Sequence, residues 1–244
     1  MRTRMSQVLI PILGASLLLV GVIVVGRISR DYLRQDQHYV LHFSDIDCPA
    51  PPGLRREDFL PEVQFLGQLP NSLPALDDNT PSQLAAAFAR HPWVEKVEQV
   101  RITPPNRAEV QLTFRTPALA VPQPDGTRVV DGHAILLPVT ASSEGLPVLR
   151  GPIAHPSGLA GSAWDDPAVS AAAPVAAYLR SYRQRLGLIS CEVRNGLVEI
   201  DCNSGRVAWG HAPGSEAADE EPAASKLRRL LDAHTVADPV IVGP

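Results

Sequence analysis

Apolar and polar residues recur along this chain with two periods, and the change from one to the other predicts where helices give way to strands. From Pro81 to Ala89, Leu84, Ala85, Ala86, Ala87 and Phe88 read as a short apolar helix. Asn79 or Thr80 stands where a helix takes an N-cap oxygen, and Pro81 where a missing N–H costs nothing. Pro92 pushes His91 out of the helical region, so the helix stops there. Beyond Trp93 and Val94 the period becomes two. Val100 and Ile102 share one side of a first run, and Val110, Leu112 and Phe114 one side of a second. Glu98, Arg101, Glu109, Gln111, Thr113 and Arg115 fill the intervening positions. Thr103-Pro104-Pro105-Asn106-Arg107 turns the chain between the two runs. A helix and a hairpin with one apolar face predict the compact end of a small α+β module over residues 38–120.

Upstream, Tyr39–Phe43 alternates weakly and reads as a first strand, followed by the stiff loop Cys48-Pro49-Ala50-Pro51-Pro52-Gly53. Leu54–Leu66 has helix spacing at Phe59, Val63 and Leu66, and Pro61 within it predicts a short or kinked helix. The module order is then strand, helix, helix, strand, strand. Residues 121–244 predict a mixed β domain with flanking helices. Gln123-Pro124-Asp125-Gly126 is a turn, and Asp131-Gly132 between apolar residues signals a hairpin. Asp165 or Asp166 caps a helix from Pro167 to about Leu186, with Val175, Tyr178, Leu179 and Tyr182 as its apolar stripe. Asn195-Gly196 is a two-residue hairpin loop that pairs Cys191 with Ile200 and Val193 with Val198. That register puts Ile189, Cys191, Val193, Val198, Ile200 and Cys202 on one face. A strand Arg206–Gly210, an acidic loop Gly214–Pro222, a basic helix Ser225–His234 and a last short strand Val240-Ile241-Val242 complete the reading.

The N-terminus changes the picture most. Val8 to Gly26, centred near Leu17, is 19 residues without a charge. As one helix it would run roughly 28 Å, a transmembrane length. Arg27-Ile28-Ser29-Arg30 follows it where a cleaved signal would show small residues, so the expectation is a single uncleaved transmembrane helix within residues 1–37. Arginines flank both ends and do not set its orientation. Residues 27–244 hold 20 Lys+Arg (22 less Arg2 and Arg4) against 26 Asp+Glu, or −6, which argues against a nucleic-acid partner.

Candidate chemistry is sparse. The hairpin register sets Cys191 and Cys202 diagonally, with Cα atoms about 7–8 Å apart. That is beyond comfortable disulfide reach, so buried thiols are favoured, although an oxidising compartment leaves a bridge open. Cys48 is unpaired either way. His38 and His42 have the spacing of helical metal ligands but sit in a strand context with no third ligand nearby. Asp165-Asp166 and Asp219-Glu220-Glu221 precede helix starts, where acids suit the helix dipole. Trp93 reads as a core residue leading into a strand. Hydrolase, phosphate-loop and zinc motifs are missing, so no catalytic, cofactor or metal residue is assigned.

Several of these segments, in this order, resemble the FtsQ (DivIB) family of bacterial cell-division proteins. His91-Pro92-Trp93-Val94, the strand holding Val97, Val100 and Arg101, the Pro104-Pro105-Asn106 turn and Val110–Ala118 resemble its POTRA domain. Val130-Asp131 with Ile135, Leu146-Pro147 with Leu149 and Gly151, and Gly205–Gly210 ahead of Lys226-Leu227 resemble its β domain. The resemblance implies a POTRA-like β-α-α-β-β module and then an FtsQ-type β domain. Both would be extracytoplasmic, at the division septum of the bacterial inner membrane, with the N-terminus cytoplasmic. It implies no catalysis and no cofactor. It implies a divisome scaffold that binds bitopic proteins of the FtsB/DivIC and FtsL types and helps recruit the septal peptidoglycan synthase. In the family, partner capture is strand addition at the last strand, here Val240, Ile241 and Val242. This chain departs from the pattern at Asp238-Pro239, since Pro239 cannot donate a ladder bond. The alternative is a membrane-anchored POTRA-type module in protein export or envelope assembly.

Overall fold

A computed structural model describes Leu18, residues 20–26 and residues 39–237. The fold is α+β, with helices around a mixed sheet. The expectation of a transmembrane helix needs correction: among the described residues no helix is long and apolar enough to cross a membrane. Of the stretch expected to span, only Leu18 and residues 20–26 are described. They are helical (residues 20–26, α1), with Gly26 the last of them; Val8 and Leu17 lie outside the described residues.

The chain forms two compact units. The first holds the described residues up to Ala50 together with Leu54–Arg90 and Lys96–Leu112. Its elements are β1 (Val40–His42), a 3₁₀ turn (Phe43–Asp45), α2 (Arg56–Gly67), β2 (Ser72–Pro74), α3 (Thr80–Ala89), β3 (Val94–Thr103) and β4 (Arg107–Phe114). β1 pairs antiparallel with β2, a short strand that the sequence pattern does not reveal. α2 runs through Pro61 for 12 residues, longer than the proline suggested. It ends on Gln68 in the left-handed conformation, whose N–H donates to Phe65 O while Leu69 N donates to Gln64 O. α3 crosses it so closely that a Cβ on Gly67 would lie 2.4 Å from Ala87 Cβ. Phe59, Phe43 and Phe88 meet in the core beneath, with ring centroids 6.0 and 6.4 Å from Phe88. In β4, buried Ala108 and Val110 alternate with exposed Arg107, Glu109 and Gln111, as the period predicts. Asp47 adds a single parallel bridge to the edge of β4, donating to Ala108 O and accepting from Val110 N, each at 2.8 Å.

The second unit holds Pro51–Gly53, His91–Glu95 and the chain from Thr113 on. Its strands are β5 (Pro117–Gln123), β6 (Gly126–Asp131), β7 (Val148–Arg150), β8 (Ser190–Arg194), β9 (Leu197–Cys202) and β10 (Gly205–Gly210). The sheet order is β10-β9-β8-β7-β5-β6, parallel at β5/β7 and β7/β8 and antiparallel elsewhere. Helices α4 (Pro167–Leu179), α5 (Arg183–Leu186) and α6 (Ala223–Ala237) complete it. Asp166 caps α4, accepting from Ala168 N and Val169 N, and α4 lies across β5, β8 and β9. The helix expected to reach Leu186 breaks at Leu179 into a 3₁₀ turn before α5. Its inward stripe is Val169, Ala172, Ala173, Val175, Ala176 and Leu179, with Tyr178 and Tyr182 at the margin. Small residues dominate because a helix packed flat on a sheet must approach closely.

The hairpin register is the expected one, Cys191 against Ile200 and Val193 against Val198, with Asn195 and Gly196 both at positive φ. Cys191, Val198, Ile200 and Cys202 enter the core with Trp164, Trp209 and Leu149. Ile189 does not. It precedes the strand and is exposed, while its carbonyl receives Val148 N. At Asp131-Gly132, where the sequence signals a hairpin, the chain makes an aspartate-driven turn closed by an antiparallel bridge between Val130 and Leu136. The Asp131 carboxylate accepts from His133 N and Ile135 N, both at 2.9 Å, and Ala134 takes the positive φ.

Candidate partner-binding edge

The expected edge residues Val240, Ile241 and Val242 lie outside the described residues. Among those described, β10 has a single strand neighbour, β9. The two-residue loop Asn203-Ser204 makes Cys202/Gly205 and Ile200/Val207 the hydrogen-bonding pairs of this hairpin, so Arg206 and Ala208 direct their main-chain groups away from β9. A bulge between Ala208 and Gly210 then bends the strand.

A polar clamp holds this strand end. Trp209 is buried, and Lys226 Nζ on α6 lies 5.4 Å from its ring centroid. The same ammonium donates to Glu220 Oε1 at 2.5 Å, while His211 Nδ1 meets Glu220 Oε2 at 2.5 Å and His211 N donates to Oε1. Glu220 is thus held well below the usual carboxylate range, at about 2, chiefly by the Lys226 bond and further by His211, against the cost of burial. The start of α6 is closed by Glu216, whose carboxylate accepts from Ala223 N and Gly214 N and is lowered first by its own main-chain N–H and then by that of Ala223. Glu221 pairs with Arg229 at 2.6 Å. The acidic loop Gly214–Pro222 is therefore spent on seating α6 against β10.

The outer face of β7–β10 carries alternating charge. Arg206 reaches Glu192 at 3.2 Å, Glu199 at 3.6 Å and Asp201 at 3.1 Å, and Arg150 reaches Asp201 at 3.3 Å. Asp201 is lowered by its bond from Arg206 and then by that from Ser190. Such partly exposed pairs contribute little stability, but they make the face wet and selective in what it meets.

The other candidate residues have structural work. Trp93 is only 2% exposed, a core residue as its position suggested. Buried His91 accepts Trp93 N at Nδ1, 3.3 Å away. Arg115 donates through its main-chain N to Trp93 O and through Nη1 to Asp131 Oδ2 at 2.8 Å, with the two side chains 17% and 3% exposed. Sequence reasoning missed this pair; its signal was an arginine on the strand leading out of the first module. Asp165 accepts from Ser157 Oγ. The three thiols are free, and burial pushes Cys191 up to about 12 and Cys48 and Cys202 up to about 11. None is a thiolate nucleophile at neutral pH. Of the histidine pair with metal spacing, His42 lies exposed in β1 and His38 is outside the described residues. No group of three or more His, Cys, Asp or Glu among the described residues could hold a metal ion. No protein-family model and no curated protein matches the chain.

Proposed function

We propose that this protein is a non-catalytic scaffold of the bacterial divisome. It binds bitopic division proteins of the FtsB/DivIC and FtsL types and helps recruit septal peptidoglycan synthesis. The observation that carries the reading is the outer edge of β10, a strand whose main-chain groups at Arg206 and Ala208 face away from the sheet and whose position is held by the Trp209–Lys226–Glu220 clamp. An edge held in place offers a ladder to an added strand at little ordering cost. The resemblance of the ordered segments from His91 to Leu227 to the FtsQ family supplies the identity of the partners. A fluorescent fusion should concentrate at the septum and co-purify FtsB-type and FtsL-type proteins. Uniform envelope distribution without a division partner would discard this reading in favour of an export or envelope-assembly module.

A further inference from the structure

A hollow of about 480 Å³ lies at the end of β10, lined by Leu197 and Ala208 of the sheet, His211 beyond it, Asp219 of the acidic loop, and Lys226 and Arg229 of α6. Ala208 pairs with Glu199, so its side chain lies on the outer, charged face of the sheet. Leu197, two residues before Glu199 on β9, shares that face, and both are exposed. A strand laid along β10 sets one of its residues beside Ala208, about 5 Å away, with its side chain turned to the same face. Ala208 offers only a methyl group there, so a long side chain can cross it onto Leu197. The charges around the hollow choose the head group. Lys226 and Arg229 are spent on Glu220 and Glu221, and Glu220 also holds His211. On the sheet face, Arg150, Arg194 and Arg206 stand against Glu192, Glu199 and Asp201, three charges of each sign. Asp219 is left over: it is exposed and makes no ion pair with a described residue. Glu199, directly opposite Ala208, adds an Oε2 that accepts no hydrogen bond, with Arg206 3.6 Å away. A surplus carboxylate beside an apolar floor selects a cation on an aliphatic stem.

We infer that the partner strand captured by β10 carries a lysine or arginine beside Ala208, with its stem over Leu197 and its cation on Asp219. The inference rests on the strand-addition reading above and adds to it a register and the chemistry of one partner side chain. An acidic side chain at that position meets Asp219 and Glu199 and is repelled.

The test uses the full chain in mild detergent and two labelled peptides, acetyl-Ser-Thr-Val-Lys-Val-Thr-Ser-amide and the same peptide with Glu for Lys. Fluorescence anisotropy should show saturable binding, about fivefold tighter for the Lys peptide. Asp219→Asn should bring the two peptides within about twofold of each other, and Asp219→Lys should reverse their order. The Asp219 side chain holds no other group, so these variants keep the fold, checked by an unchanged urea midpoint. Ala208→Pro should abolish binding of both peptides, which tests the edge itself. If Ala208→Pro does so but the Lys peptide has no advantage, or keeps it in Asp219→Asn, the edge captures strands and this inference is overturned. If neither peptide binds, or Ala208→Pro has no effect, the strand-addition reading falls and takes the inference with it. Binding only after removal of residues 238–244, or dimerisation that Ala208→Pro abolishes, would overturn it by making the chain's own end or a second copy the occupant.

Discussion

At the scale of single residues, Arg115 and Asp131 show what a linear pattern conceals. Asp131 was legible as a turn residue, yet its carboxylate also receives two main-chain N–H groups and a guanidinium from a residue 16 positions earlier. Replacing it with alanine leaves Arg115 buried without its partner. Asp131→Ala should therefore cost about 3 kcal/mol in denaturant unfolding. Glu220 gives a pH dependence whose sign follows from its depressed pKa. A carboxylate held below its ordinary 4.5 adds stability above pH 4.5, and that stability is lost as pH falls through 4.5 toward about 2. Urea midpoints between pH 5 and 2 should fall more steeply for the natural chain than for Glu220→Gln. Neither the clamp nor the ion pair could be read from sequence, because each joins groups whose nearness is a product of packing.

At the scale of elements, legibility followed local chemistry. The β8–β9 hairpin came through in register because Asn195-Gly196 can supply the two positive φ angles that its loop needs. Gly196 has φ +80 and open space around it, so Gly196→Ala should cost about 1 kcal/mol from backbone strain alone, measured by thermal unfolding. β7 did not come through. It has three residues and no alternation, and it exists because β5 and β8 pair with it in parallel from distant parts of the chain. α2 exceeded expectation, since its packing against α3 and the phenylalanine cluster outweighs the bond lost at Pro61. The proposed edge is tested here as well. Ala208→Pro removes one outward-facing N–H from β10, so partner co-purification should drop at least tenfold while the circular dichroism spectrum is unchanged.

At the scale of the whole molecule, all three cysteines are buried and protonated, so iodoacetamide at pH 8 should leave the native chain unmodified and add three labels after denaturation, read by intact mass. What the sequence by itself determined were the features written within a few residues: the turn at Asn195-Gly196, the cap at Asp166, the alternation of β4 and the apolar run at residues 8–26. Their causes are local, namely backbone angles, one side-chain bond, or the hydropathy of neighbours. What only the tertiary structure decided was which distant groups meet: β7 between β5 and β8, Arg115 on Asp131, and Lys226 over Trp209 beside Glu220. Burial lowers the local dielectric, and only there do such encounters become strong enough to hold a strand edge in place.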